Sequence, residues 1–165
     1  MKKLTLLFTL LLALVASAAA QTAETFSIKT LAEQQESDGD KYWALKNKDN
    51  IARSLEQAGF SNKNTGIEKN FFSAGDDDDA EEIDAKWILF QKGSIQVYYY
   101  YSMSAYCALN AVEVVFPDKE AAQNFINTSL KEGLERSEYN SDYYQMGILT
   151  IYFKTPTTIH IEAVA

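Results

Sequence analysis

Hydrophobic and polar positions alternate most clearly between Trp87 and Tyr101, where two apolar, β-branched and aromatic runs flank Gln91-Lys92-Gly93-Ser94. Gly93 accepts the positive φ of a tight turn, so the pattern predicts a β-hairpin. In its second arm Ile95, Val97, Tyr99 and Tyr101 fall on one face, and Gln96, Tyr98 and Tyr100 on the other. A second hairpin is expected around Lys154-Thr-Pro-Thr157, with arms Ile148 to Phe153 and Thr158 to Val164. Here Ile151, Phe153, Ile159 and Ile161 alternate with Thr150, Tyr152, His160 and Glu162. Strands this apolar on one side need a covering layer.

Two stretches carry the helical period instead. Ile51, Leu55 and Ala58 recur between Asn47, a candidate N-cap, and Gly59. Ala121, Ala122, Phe125, Ile126 and Leu130 recur between Asp118 and Gly133. Strands are expected from Gly66 to Phe72, Leu109 to Phe116, where Asn110 and Glu113 interrupt an apolar run, and Tyr139 to Tyr144. The region from Gln21 to Lys46 is ambiguous: Phe26 to Thr30 suits an edge strand, while Thr30-Leu-Ala-Glu33 suits a capping box. The sum is an α+β chain, a two-layer sandwich in which an antiparallel sheet carries two helices on one face. The two halves share a layout that reads as a tandem βαβββ pseudo-repeat. That element order resembles the TATA-binding-protein-like and β-lactamase-inhibitor-protein-like groups of folds, without a shared motif and without implying a function.

The first 20 residues add a destination. Lys2 and Lys3, the apolar run Leu4 to Val15 and Ala18-x-Ala20 read as a secretory signal peptide, too short for a comfortable membrane span. Residues 21–165 are then one exported domain, periplasmic or secreted, with no membrane span after cleavage. It has 13 basic and 23 acidic residues, a net charge of −10, which disfavours nucleic acid and anionic lipid as partners. A single cysteine forms no internal disulfide, so the domain depends on its core.

Candidate chemistry is thin. Cys107 and His160 are the only residues of their kinds, and Cys107 has no basic neighbour to activate it. No nucleophile elbow, phosphate loop or metal-binding spacing is present, and no cofactor is implied. Asp76, Asp77, Asp78 and Asp79 open a run of seven acids in nine residues, expected as an exposed loop and only a weak cation site. The best candidate is the sheet face carrying Gln96, Tyr98, Tyr100, Tyr152, His160 and Glu162, with His160 expected on the solvent side. Tyrosine beside polar groups suits a face that binds a protein, peptide or glycan. The alternatives are an enzyme using His160 and Glu162 as an acid–base pair, and a structural envelope protein using the acidic loop.

Overall fold

The computed structural model describes residues 26–36, 43–74, 81–102 and 110–163. The expected signal segment, the aspartates 76–79 and Cys107 lie outside those residues. The described residues hold three helices rather than two: α1 (Ile28–Glu36), α2 (Trp43–Gln57) and α3 (Lys119–Lys131). Eight strands follow as β1 (Ser61–Ala74), β2 (Glu81–Lys92), β3 (Ile95–Ser102), β4 (Asn110–Val115), β5 (Glu135–Arg136), β6 (Tyr143–Met146), β7 (Leu149–Thr155) and β8 (Thr158–Ala163). They form one antiparallel sheet in the order β1-β2-β3-β4-β8-β7-β6-β5. Helix α2 leads into β1–β4 and helix α3 into β5–β8, so each long helix precedes four strands, and β4 pairs with β8 at the centre. The stretch expected to supply a strand ahead of α2 is helical instead.

That helix, α1, shows tertiary burial deciding an ambiguous local signal. Its N-cap is Ser27, whose Oγ accepts the Thr30 N–H at 3.2 Å, so Thr30 lies inside the first turn rather than capping it. Ile28, Leu31 and Ala32, spaced for one helical face, are buried, and Phe26 packs on Phe60 and Phe125. Helix α2 also starts earlier than Asn47, because Trp43 to Lys46 holds no breaker and continues the helix backwards.

Both long helices end as the sequence predicts, on a glycine with positive φ. At α2 the Gly59 N–H reaches Glu56 O and the Phe60 N–H reaches Leu55 O, each at 2.9 Å. At α3 the residue after Gly133, Leu134, makes the corresponding bond to Ser129 O at 2.9 Å. Phe60 and Leu134 then drop into the core, so each helix stop also aims the next strand. Asp118 caps α3 as foreseen, Oδ1 accepting the Ala121 N–H at 2.8 Å. Ala122, Phe125 and Ile126 are buried, but Leu130 is largely exposed and Ser129 takes its place, its hydroxyl bonded to Phe125 O.

The alternation of both hairpins survives intact. Ile88, Phe90, Val97, Tyr99, Val112, Val114, Ile151, Ile159 and Ile161 form one cluster with residues of all three helices. Two other expectations need correction. Glu81 to Asp84 belong to β2 rather than to an acidic loop, and the Lys69 ammonium pairs with Asp84 there. The strand expected from Tyr139 is β6, beginning at Tyr143, while Tyr139 is almost fully exposed in the preceding turn. No helix among the described residues is long and apolar enough to cross a membrane.

The covered face sets the stability of the sheet. Ile159→Ala removes a fully buried side chain between β4 and β7 and is expected to cost about 2–5 kcal/mol. Tyr139→Ala should stay within about 0.5 kcal/mol. Denaturant unfolding of the two variants measures both.

Candidate functional site

The other face of the sheet is crossed by a row of paired residues, one per strand: Leu89, Tyr98, Glu113, His160, Tyr152 and Tyr143. The adjacent row runs Gly66, Trp87, Tyr100, Ala111, Glu162, Thr150 and Gln145. Gln96, Tyr98, Tyr100, Tyr152, His160 and Glu162 all lie on this face, because strict alternation leaves no other place for them. They do not all meet. Gln96 pairs with Gln91 and Val115, one row beyond Tyr98 and away from His160.

His160 is not on a wet surface. It is 5% exposed, and Tyr100 is 7% exposed. The cover comes from β1, an edge strand that breaks register between Glu68 and Phe72. Lys69, Asn70 and Phe71 there stand against the single residue Asp84, which accepts the Asn70 N–H while Asn70 holds a φ of 53°. The bulge delivers the Phe71 ring onto Tyr100, with centroids 4.2 Å apart and planes 13° off parallel. Phe71 is 6.4 Å from the His160 ring, and Tyr152 closes the other side at 4.9 Å. Small Ala85 and Ala111 leave room for this second cluster. Gly66 is equally required, since a Cβ there would sit 2.3 Å from the Trp87 ring.

Beneath these rings runs an ionic chain, buried at Glu113 and His160 and reaching solvent at Lys154 and Glu162. Glu113 Oε1 accepts from Lys154 Nζ at 2.6 Å and from His160 Nδ1 at 3.1 Å. His160 Nε2 donates to Glu162 Oε2 at 3.3 Å. Two carboxylate acceptors assign both ring nitrogens as donors, so the partners favour the imidazolium. Burial opposes that charge, but the bonds to Glu113 and then Glu162 outweigh it and hold His160 above its ordinary 6.5. For Glu113 burial likewise raises the carboxyl, and the bonds from His160 and Lys154 overcome it, leaving the group below its ordinary 4.5. Burial, then the charge of Glu162, pushes the Tyr152 phenol up to about 12, so it stays protonated at neutral pH.

Glu113, Lys154, Phe71 and Glu68 were not among the sequence candidates. Glu113 had left a signal, since an acid inside an otherwise apolar strand must find a partner. Phe71 and Glu68 had left none, because a bulge on an edge strand is invisible in a period-two pattern. A cleft of about 250 Å³ opens between the bulge and the β7–β8 arms, lined by Glu68, Lys69, Asn70, Phe71, Tyr152, Lys154, His160 and Glu162. Among the described residues no cluster of His, Cys, Asp and Glu is arranged to hold a metal ion. While both nitrogens donate to carboxylates, the imidazolium has no lone pair with which to act as a base toward a substrate.

The network has a pH signature. A His160 value raised on folding contributes stability that is full below about 6.5 and lost as pH rises through the folded value. A lowered Glu113 value contributes stability present above about 4.5 and lost as pH falls through the folded value. Urea unfolding at a series of pH values should show a plateau between these limits, with His160→Gln flattening the alkaline side. NMR titration of the chain's single histidine checks the same shift.

Comparison of the chain with protein-family models, with curated proteins and with solved structures finds no match.

Proposed function

We propose that this is an exported, non-catalytic binding domain that docks a polypeptide partner on the sheet face opposite the helices. The segment Met1 to Ala20 supports export. One observation carries the binding reading: Trp87, Leu89, Tyr98, Tyr152 and Tyr143 stand half-buried across this face, while residues of all three helices pack against the other. Large rings held still by their neighbours bury area at low entropic cost when a partner arrives. Tyr98 sits edge-on to Trp87 at 5.8 Å and stacks toward Tyr100, while Tyr143 and Tyr152 lie 5.1 Å apart. The ionic chain stiffens the strands beneath.

A polypeptide fits this face better than a glycan. Leu89 and Trp87 give it the aliphatic and aromatic mixture of a protein interface centre, and the residue row spans six strands. The same geometry weakens the acid–base reading of His160 and Glu162, since both imidazole nitrogens are engaged.

A photo-crosslinking amino acid at Tyr98 or Tyr152, in protein exported by its native host, should give one discrete polypeptide adduct. Protein with the same group at exposed Gln123 on α3 should give none. Intact mass of the exported material should lack Met1 to Ala20. Adducts equally frequent from α3, or adducts to carbohydrate alone, would sink the proposal.

A further inference from the structure

We infer that the cleft between the β1 bulge and strands β7 and β8 receives a cationic side chain, a lysine ammonium or an arginine guanidinium, presented by the partner polypeptide. The inference rests on the reading of this face as a docking surface and names the group that the face recognises.

The charges lining the cleft are not balanced within it. Lys69 is matched by Asp84 and Lys154 by Glu113, and neither of those carboxylates lines the cleft. Glu68 and Glu162 do line it, and among the described residues the cation left to face them is His160. Glu162 spends Oε2 on that imidazole, and Glu68 is exposed with no bond to any described side chain. With His160 protonated the group carries one surplus negative charge, and with it neutral, two. A cation is the occupant that this surplus favours.

The walls suit the same occupant. Phe71 is fixed on Tyr100 on one side, and Tyr152 is held between His160 and Tyr143 on the other. Aromatic rings beside carboxylates accept the alkyl stem and the charged head of lysine or arginine together. At about 250 Å³ the cleft is below the ~300–1,000 Å³ of pockets for drug-sized ligands, and it matches a single side chain.

The groups around His160 couple this binding to pH. Glu113 faces it from β4, Tyr100 from β3, Lys154 and Tyr152 from β7, Glu162 from its own strand, and Phe71 and Glu68 from β1. A cation in the cleft and a proton on His160 compete for Glu162, so affinity should rise as the histidine is deprotonated.

The test is an NMR titration of the whole protein with Nα-acetyl-lysine and Nα-acetyl-arginine methylamides, against the uncharged norleucine and citrulline analogues. The cationic probes should shift Phe71, Tyr152 and His160 saturably, bind more tightly at higher pH, and bind more tightly than plain alkylamines. Glu162→Gln should weaken them about tenfold, the size of one charge-assisted contact. Glu68→Gln, at an exposed position with little bearing on folding, should weaken them several-fold, and Glu132→Gln on α3 should not. Equal binding of the uncharged analogues, unchanged affinity in both cleft variants, or preference for a free alkylamine would overturn the inference. Such a result with the Tyr98 adducts intact removes only the cation and leaves the docking face. Loss of those adducts with probe binding intact removes the docking face instead.

Discussion

Glu113 stands on β4, at the seam where β4 meets β8, with its side chain only 8% exposed. A carboxylate in that position is costly unless its charge is matched and its lone pairs are filled. Here Lys154 arrives from β7 and His160 from β8, so three neighbouring strands, β4 included, meet at one carboxylate. Removing Glu113 would leave two cations facing each other with no anion between them. The central sheet therefore owes part of its register to electrostatics, not only to the apolar layer on its other face.

That constraint also bears on the docking role proposed for this sheet face. The ionic chain and the Phe71–Tyr100 stack immobilise the middle of the face, while Tyr98, Trp87, Tyr143 and Tyr152 keep part of their rings in water. Preorganised rings lose little freedom on binding, and the cation preference proposed for the cleft would add a selectivity that the rings lack. Stability and the proposed recognition draw on the same residues. Substitutions at Tyr100 or His160 will confuse the two effects, whereas those at Tyr98 or Glu68 will not.

The legible part of this structure was the part governed by period and by termination. The alternation in both hairpins assigned Val97, Tyr99, Ile159 and Ile161 to the core and Tyr98, Tyr152 and Glu162 to the opposite face. The glycines after Ala58 and Glu132 stopped the long helices where expected. Helix α1 was ambiguous because nine residues have little intrinsic preference, and burial of Ile28 and Leu31 decided it. His160 was misjudged for another reason. Alternation predicts which face a residue takes but not whether a distant bulge will cover it, and Phe71 reaches it from nearly ninety positions away in sequence. The strand pairing that sets Lys154 beside Glu113 is likewise a property of sheet order, which local patterns do not encode.

Hydroxyl-radical footprinting of the aromatic residues, on the isolated protein and on the protein in its native host, tests the central claim that this face is a docking surface. The account predicts that Trp87, Tyr98, Tyr143 and Tyr152 are labelled in isolation and protected in the native setting. Tyr99 should be silent in both, and Tyr139 labelled in both. Labelling of the four rings that is unchanged between the two settings, or protection confined to the helical side, would contradict it.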